Sequence, residues 1–282
     1  MSVVTAPAVV AHRGSSADAP EHTLAAYQQA ITDGADALEC DVRLTADGHL
    51  VCVHDRRIDR TSDGRGVVSV LTLSDLDALD FGRAHPGAPA YDQPEMGSDP
   101  VVYDEARSRV LTLERLLELV MESGREVGLA IETKHPTRYA GLVEERMVEL
   151  LRRFGLARPR SEQDHRIRVM SFSQLSMRRV RALAPGLPTV FLMDRVPLRF
   201  RDGSLPFGAR IAGPSIEIIR AHPRYVARAH SAGAEVHVWT VDSPEDVDLC
   251  RELGVDAIIT NRPHDVVSRL AGRTTAAAAV PG

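Results

Sequence analysis

Apolar residues along the chain follow two alternating patterns. Short runs rich in Val, Ile and Ala are separated by longer stretches in which apolar residues recur every three or four positions, the spacing of an amphipathic helix. Strands that alternate with helices in this way indicate a parallel sheet. Strands are expected at 9–12, 37–42, 127–133, 167–172, 188–193, 210–214, 235–241 and 257–260, and helices at 23–33, 113–123, 138–154, 174–184, 223–232 and 244–253.

Eight parallel strands predict an α/β fold of the (β/α)8 TIM-barrel type. The alternative, a doubly wound sheet, favours a Gly-rich phosphate loop after the first strand, and Gly14-Ser15-Ser16 does not match that pattern. The barrel domain is expected to span 7–270. A stretch rich in Pro and Gly breaks the periodicity, so 55–109 is interpreted as an insertion on the active face, after the second strand and its hairpin. The tail, 271–282, is expected to be disordered.

A hairpin is predicted directly after the second parallel strand. Asp47-Gly48 is typical of a two-residue turn between antiparallel strands. With that turn, Asp41 lies opposite His54 in the ladder. Glu39, two residues before Asp41, shares the same face of the strand. The pattern therefore predicts two carboxylates and an imidazole in one small volume.

Polar side chains gather where the predicted parallel strands end. In barrels of this kind the active residues lie at the C-terminal ends of the strands, on one face of the molecule. Each pair below closes one strand, so all six side chains are expected to converge on one mouth. The pairs are His12 with Arg13, Glu39 with Asp41, and Glu132 with Lys134.

Three carboxylates in this set, Glu39, Asp41 and Glu132, point to a metal site. Carboxylates that share a pocket raise one another's pKa unless a cation neutralises them. Oxygen ligands select a hard ion, Mg²⁺ or Ca²⁺, and the two are not distinguished by ligand type. The alternative is that each carboxylate pairs with a neighbouring Arg or Lys.

The remaining residues of the set suit proton transfer and anion binding. His12 and His54 titrate near neutrality and are candidates for an acid–base pair, in either order. Arg13 and Lys134 add fixed positive charge, which either holds an anion or neutralises a carboxylate. A metal, two cations and two histidines together fit phosphoryl chemistry, in which developing negative charge must be spread.

Composition excludes several function classes. The chain has 282 residues and a formal net charge of -5, so it lacks the basic field typical of nucleic-acid binding. No apolar run approaches the ~20 residues of a membrane span. No cationic segment precedes the first strand, so a signal peptide is not expected. We therefore expect a cytoplasmic location. The sequence does not predict the oligomeric state.

Short motifs spread over most of the chain resemble those of the glycerophosphodiester phosphodiesterase family, of the bacterial, cytoplasmic type. Each motif alone is a weak match, and the set together is specific. The match extends over 9–263, and its strongest parts are His12-Arg13-Gly14, Pro20-Glu21-His22-Thr23, Glu39-Cys40-Asp41-Val42, Thr45-Ala46-Asp47-Gly48, His54-Asp55, Arg60-Thr61-Ser62 and Glu132-Thr133-Lys134. Weaker matches are Ser171-Phe172, Trp239-Thr240-Val241 and 258–263.

The resemblance implies a barrel with a small insertion and one divalent cation, held by Glu39, Asp41 and Glu132. It implies hydrolysis of a small-molecule glycerophosphodiester to an alcohol and sn-glycerol 3-phosphate. By position, the resemblance also implies that His12 and His54 form the acid–base pair. It implies that Arg13 contacts the phosphate, with Lys134 close by, and that Trp239 lines the pocket. One departure is His22, where the family usually has Asn.

Three alternatives stay open at this point. A metal-dependent lyase or aldolase barrel would use Lys134 as its base. A lysophospholipase D-like activity on the same fold would need an exposed apolar rim near the mouth, which Val101-Val102-Tyr103 or 200–207 would supply. A non-catalytic sensor of phosphate ligands would bind without turnover and would normally lack one catalytic group, and none is missing here.

Overall fold

Eight parallel strands close into a barrel in the computed structural model, which describes residues 6–82, 108–139, 141–161 and 164–278. The sheet order is β1-β9-β8-β7-β6-β5-β4-β2-β3, and pairing of β1 with β2 closes the ring. Strand β3 is antiparallel and bonds to β2 outside the ring. The strands are β1 (Ala8–His12), β2 (Ala37–Leu44), β3 (Leu50–Cys52), β4 (Gly128–Thr133), β5 (Ile167–Ser171), β6 (Thr189–Met193), β7 (Ile211–Pro214), β8 (Glu235–Val238) and β9 (Ala257–Thr260).

Helices lie between the strands and cover the outside of the barrel. Among the described residues, no helix combines the length and apolar character that crossing a membrane requires. The helices are α1 (Leu24–Thr32), α2 (Leu73–Asp77), α3 (Leu113–Glu122), α4 (Leu142–Arg153), α5 (Gln174–Leu183), α6 (Ile216–Ala221), α7 (Arg224–Ser231), α8 (Pro244–Leu253) and α9 (Pro263–Ala278).

The predicted TIM barrel is confirmed, strand by strand. All eight parallel strands and the six predicted helices are present, each within a few residues of its expected bounds. Three helices, α2, α6 and α9, were not predicted. Helix α9 continues to Ala278, into the stretch expected to form a disordered tail, and 279–282 lie outside the described residues.

Side chains alternate between the lumen of the barrel and the helices around it. In β2, Leu38, Cys40 and Val42 belong to the core between sheet and helices. The residues between them point into the lumen, which small and branched apolar side chains fill at its lower levels. That alternation directs Glu39 and Asp41 inward, toward the C-terminal mouth. The lumen cluster is Val10, Ala37, Ala130, Met170, Val190, Leu192, Ile211, Ala257 and Ile259.

The hairpin register differs by one residue from the predicted one. Val42 pairs with Cys52, so Asp41 lies opposite Val53 and not opposite His54. The reason is a three-residue loop in place of the expected two-residue turn. The Thr45 hydroxyl accepts a hydrogen bond from His49 N at 2.9 Å and donates one to Asp47 Oδ1 at 2.6 Å. These bonds close the loop between Thr45 and His49, where the expected turn joins Ala46 to His49.

The register correction leaves His54 beyond the end of β3, where the chain turns back toward the mouth. The guanidinium of Arg43 fixes that turn by donating to the carbonyl oxygen of His54 from two nitrogens, at 3.0 and 2.8 Å. His54 therefore reaches the site through a held bend and not through the ladder.

The described part of the insertion has a small core of its own, in which a 3₁₀ helix (Val68–Val70) and α2 pack on β3. A bridge between Arg57 and Val67 ties its two arms. The rest of the 55–109 insertion, including Val101-Val102-Tyr103, lies outside the described residues except for 108–109. The core residues are Val51, Val53, Ile58, Val68, Leu76, Phe81 and Val110.

Candidate active site

Strand register brings the predicted site residues to one rim. Parallel pairing of β1 with β2 aligns His12 with Glu39. Pairing of β2 with β4 aligns Asp41 with Glu132. Because all three strands end at this level, their last inward side chains meet at the C-terminal mouth. The structure thus brings His12, Glu39, Asp41 and Glu132 together, although they are far apart in the sequence.

The three carboxylates form one compact cluster. One oxygen each from Glu39, Asp41 and Glu132 lies within 4.8 Å of the others, and all three residues are buried. Two cations face the cluster. Lys134 Nζ is 2.9 Å from Asp41 Oδ1 and 2.8 Å from Glu132 Oε1, and Arg13 Nε is 3.1 Å from Asp41 Oδ2. The expected pairing of carboxylates with neighbouring cations is therefore present, and it centres on Asp41.

Charge is shared unevenly across the cluster. Burial opposes ionisation of Asp41, but the hydrogen bond from His22 and the charge of Lys134 outweigh it, so the pKa of Asp41 is held well below its ordinary value. Burial and the charge of Asp41 raise the pKa of Glu39 well above its ordinary value. The same two causes raise the pKa of Glu132 to about 7. With all three carboxylates ionised, the cluster would carry one more charge than Arg13 and Lys134 neutralise, and the raised pKa values of Glu39 and Glu132 reflect that cost.

The donor set fits a hard divalent cation. All three candidate ligands offer carboxylate oxygens, which Mg²⁺ and Ca²⁺ both accept. Asp41 Oδ1 is buried, and among the described residues it accepts no aligned hydrogen bond, only the ion-pair contact with Lys134. Three carboxylates in one buried pocket are costly to ionise when only two side-chain cations face them, and a further cation would offset that cost. Glu39, Asp41 and Glu132 are therefore the residues that would hold a metal.

His12 is half-buried beside this cluster, and one of its ring nitrogens is hydrogen-bonded. Its Nδ1 lies 2.7 Å from Asn261 Oδ1, and its Nε2 lies 4.0 Å from Glu39 Oε2. Burial and the charge of Arg13 lower the pKa of His12 to about 4, with Asp41 opposing. The imidazole is therefore neutral at physiological pH, with Nε2 directed at the carboxylates.

His54 is held by a chain of alternating charges. Its Nδ1 lies 2.8 Å from Asp55 Oδ1, and Arg60 Nε donates to Asp55 Oδ2 at 2.6 Å. Arg60 also donates to both oxygens of Glu21, at 2.7 and 2.8 Å, and Glu21 accepts from Arg13 Nη1 at 3.2 Å. The chain links the loop after β1 to the start of the insertion. Burial lowers the pKa of His54, and the charge of Asp41 and the hydrogen bond to Asp55 oppose that shift.

Trp239 follows β8 and closes another side of the mouth. Its indole N–H donates to the carbonyl of Gly213 at 2.7 Å, which fixes the ring. Phe172, after β5, packs edge-on against it with ring centroids 5.4 Å apart. The two aromatic rings form an apolar wall at the same end of the barrel as the histidines and carboxylates.

His22, the departure from the family pattern, is buried behind the cluster. Its Nε2 lies 2.9 Å from Asp41 Oδ2 and its Nδ1 lies 2.8 Å from the hydroxyl of Tyr27. That hydroxyl donates to the carbonyl of Glu39 at 3.0 Å. His22 therefore supports two of the candidate metal ligands from behind, and its backbone adopts φ +61°, uncommon for a residue with a side chain.

Sequence reasoning missed Asn261, which contacts His12 from the last strand. A signal for it existed, since Asn261 is the only asparagine in the sequence and directly follows β9, where active residues are expected. It was missed because its partner is 249 residues away.

Sequence comparison finds related proteins that match most of the chain. The model of the glycerophosphoryl diester phosphodiesterase family matches residues 12–265. The Mycobacterium tuberculosis protein named probable glycerophosphodiester phosphodiesterase 1 is 47% identical over 257 residues, covering 91% of this chain and 90% of that protein. A glycerophosphodiester phosphodiesterase of Caldanaerobacter subterraneus is 31% identical and covers 92% and 96% of the two chains.

Solved structures share the fold. The glycerophosphodiester phosphodiesterase of Agrobacterium tumefaciens superimposes with a TM-score of 0.70 at 26% identity, covering 93% of this chain and 99% of that one. An Oleispira antarctica phosphodiesterase, solved in complex with the product sn-glycerol-3-phosphate, gives a TM-score of 0.77 at 24% identity, covering 94% and 97%. The chain belongs to the glycerophosphoryl diester phosphodiesterase family, and it is a phosphoric diester hydrolase.

Proposed function

We propose that this chain hydrolyses glycerophosphodiesters, such as glycerophosphocholine or glycerophosphoethanolamine, to an alcohol and sn-glycerol 3-phosphate. One divalent cation, Mg²⁺ or Ca²⁺, is held by Glu39, Asp41 and Glu132. The observation that carries the proposal is the convergence of these three carboxylates within 4.8 Å at the barrel mouth. A cytoplasmic location is part of the proposal, as the expected place of a small, water-soluble substrate.

Charge balance supports a phosphodiester as the ligand. When ionised, the three carboxylates exceed the charges of Arg13 and Lys134 by one. A divalent cation reverses that balance to one net positive charge, which matches the single negative charge of a phosphodiester. When bound, the cation polarises a phosphoryl oxygen and stabilises the charge that develops in the transition state. Arg13 and Lys134 stand close enough to the cluster to share the phosphate.

The partners of the two histidines favour different proton-transfer roles. His12 faces a neutral amide through Nδ1 and is unprotonated at Nε2, so it serves as the general base. His54 faces the carboxylate of Asp55, which stabilises an imidazolium, so it serves as the general acid. The nucleophile gives its proton to His12 Nε2, the bond from phosphorus to the alcohol oxygen breaks, and His54 gives that oxygen a proton.

Two nucleophiles are compatible with this site. Water would give sn-glycerol 3-phosphate directly. The 2-hydroxyl of the glycerol group would give a cyclic phosphate, which water then opens with the two histidines in exchanged roles. A tethered hydroxyl has a high effective molarity, which favours the second route. Detection of a five-membered cyclic phosphate by ³¹P NMR in the first turnover distinguishes the routes.

The test of the proposed function identifies both the products and the residues. Glycerophosphocholine should yield sn-glycerol 3-phosphate and choline, never glycerol and phosphocholine. His12→Ala and His54→Ala should each lower kcat by ~10²-fold or more, the usual scale of general acid–base catalysis. His230→Ala is the matched control, because His230 pairs with Asp256 on the surface away from the mouth. Near wild-type turnover in both active-site variants would refute the assignment.

A second candidate, lysophospholipase D-like activity, is favoured by one observation. Three large apolar side chains are exposed in the segments that follow β5 and β6: Phe172 of the aromatic wall at 44%, Leu175 at 59% and Leu198 at 77%. A hydrogen bond from Arg199 to Gln174 ties the segment of Leu198 to α5. Higher kcat/KM for lysophosphatidylcholine than for glycerophosphocholine, lost in Leu198→Ser, would support this candidate. Equal loss for both substrates would contradict it.

A further inference from the structure

Barrel closure places the only asparagine of the chain against the general base. Strands β1 and β9 pair in parallel, with Ala11 aligned to Thr260. The next residues along the two strands are His12 and Asn261, so they meet at the mouth. Asn261 Oδ1 lies 2.7 Å from His12 Nδ1. Ser16 Oγ lies 2.9 Å from the same oxygen.

Asp242 determines which way the amide of Asn261 points. Asn261 Nδ2 donates to Asp242 Oδ2 at 2.6 Å, and Asn261 N donates to Asp242 Oδ1 at 2.8 Å. Thr260 Oγ1 donates to the same Oδ1 at 2.9 Å. A carboxylate only accepts hydrogen bonds, so the nitrogen of the amide must face Asp242 and its oxygen must face His12.

This orientation specifies the tautomer of His12. An amide oxygen only accepts, so the hydrogen of the neutral imidazole must be on Nδ1, and the lone pair is on Nε2. Free imidazole side chains prefer the opposite tautomer, with the hydrogen on Nε2. A base with its hydrogen on Nε2 has no lone pair to offer at the mouth. The wrong tautomer would therefore be inactive, as when the partner of a catalytic histidine is replaced in other hydrolases.

We propose that Asn261, held by Asp242, is a positioning residue that keeps His12 in the Nδ1–H tautomer with Nε2 facing the carboxylate cluster. The inference rests on the proposed function, in which His12 is the base. It separates the two histidines by their partners, a neutral amide for His12 and the carboxylate of Asp55 for His54. Asp242 acts on His12 only through Asn261.

The direct test measures the tautomer itself. Long-range ¹H–¹⁵N NMR spectra of ¹⁵N-histidine-labelled protein at alkaline pH should show His12 protonated at Nδ1 in the wild type. In Asn261→Ala the hydrogen should move to Nε2. Because the chain has one asparagine, selective labelling gives a single asparagine side-chain amide signal, and Asp242→Ala should shift it. His12 remaining protonated at Nδ1 in Asn261→Ala would overturn the proposal.

Kinetics supply a second readout that a purely structural role would not reproduce. Asn261→Ala should lower kcat about 10²-fold with KM changed less than about twofold, since proton transfer and not binding is affected. Ser16→Ala is the matched control, because it removes another contact to the same amide oxygen but leaves the hydrogen bonds that Asn261 donates to Asp242. It should retain the wild-type tautomer. A shifted tautomer or equal loss of kcat in Ser16→Ala would overturn the proposal.

An exchanged pair tests the role of Asp242. The double variant Asp242→Asn, Asn261→Asp keeps an acceptor against His12 and an amide donor behind it. It should restore the Nδ1–H tautomer and raise kcat at least about tenfold above Asn261→Ala and above Asn261→Asp, which sets two carboxylates side by side. No recovery of the tautomer would refute the role of Asp242. If the tautomer follows these variants but no glycerophosphodiester is turned over, the proposed function fails and the positioning role stands.

Discussion

Removing the charge of Glu132 should change how the stability of the metal-free protein depends on pH. Burial and the neighbouring Asp41 raise the pKa of Glu132 to about 7 in the folded state, from an ordinary value of 4.5. The folded protein therefore binds this proton more tightly than the unfolded chain does. As a consequence, the free energy of unfolding decreases as pH rises from about 4.5 to about 7, and it is then constant.

The size of the effect follows from the shift. One pKa unit corresponds to about 1.4 kcal/mol, so the free energy of unfolding of the wild type should fall by about 3 kcal/mol relative to Glu132→Gln across this pH range. The comparison uses the difference between the two proteins, because titrating groups remote from the cluster contribute equally to both. Urea denaturation in the presence of a chelator, at half-unit intervals from pH 4 to pH 8, measures it.

A matched control and a metal arm complete the experiment. Glu149→Gln removes an exposed carboxylate on α4 and controls for the loss of one negative charge. Saturating Mg²⁺ or Ca²⁺ should reverse the trend in the wild type, since a cation binds the ionised cluster, and should stabilise Glu132→Gln less. A difference between wild type and Glu132→Gln that stays constant over the whole pH range in chelator would refute the assigned electrostatics.

Two further predictions concern residues that support the site. Arg60→Ala should lower kcat about tenfold, because Asp55 would no longer be held behind His54. It should change the free energy of unfolding by less than ~1 kcal/mol, because Arg60 is half-exposed. Arg57→Ala is its control, and an equal effect of the two substitutions on kcat would contradict the role of Arg60. His22→Ala should weaken cation affinity by about 10- to 100-fold in calorimetric titrations by freeing Asp41, and unchanged affinity would exclude that role.

Much of the barrel follows from the sequence by periodicity alone. Each parallel strand is a short apolar run of the expected length, and the six predicted helices each have an apolar stripe, so local pattern suffices to find them. It did not find α9, the longest helix described. The location of His12, Glu39, Asp41 and Glu132 follows as well, because a barrel brings the C-terminal strand ends to one rim. No distance information was needed for that step.

The errors arise where side-chain contacts, and not the periodicity of apolar residues, determine the structure. The hairpin register was wrong because Thr45 closes the loop through its own hydroxyl, and a slip of one residue moves every side chain to the other face. Asn261 was missed because its partner His12 comes from the opposite end of the chain. The link between Glu21 and Arg60 likewise depends on how the insertion folds over the mouth.

The most direct test of the central claim is release of sn-glycerol 3-phosphate from glycerophosphocholine by chelated and then reconstituted protein. The account predicts that thorough chelation abolishes release and that Mg²⁺ or Ca²⁺ restores it in the wild type. Restoration should fail in Asp41→Asn, because Asp41 is one of the three proposed oxygen ligands and the partner of both Arg13 and Lys134. Full release of sn-glycerol 3-phosphate after thorough chelation would contradict the account.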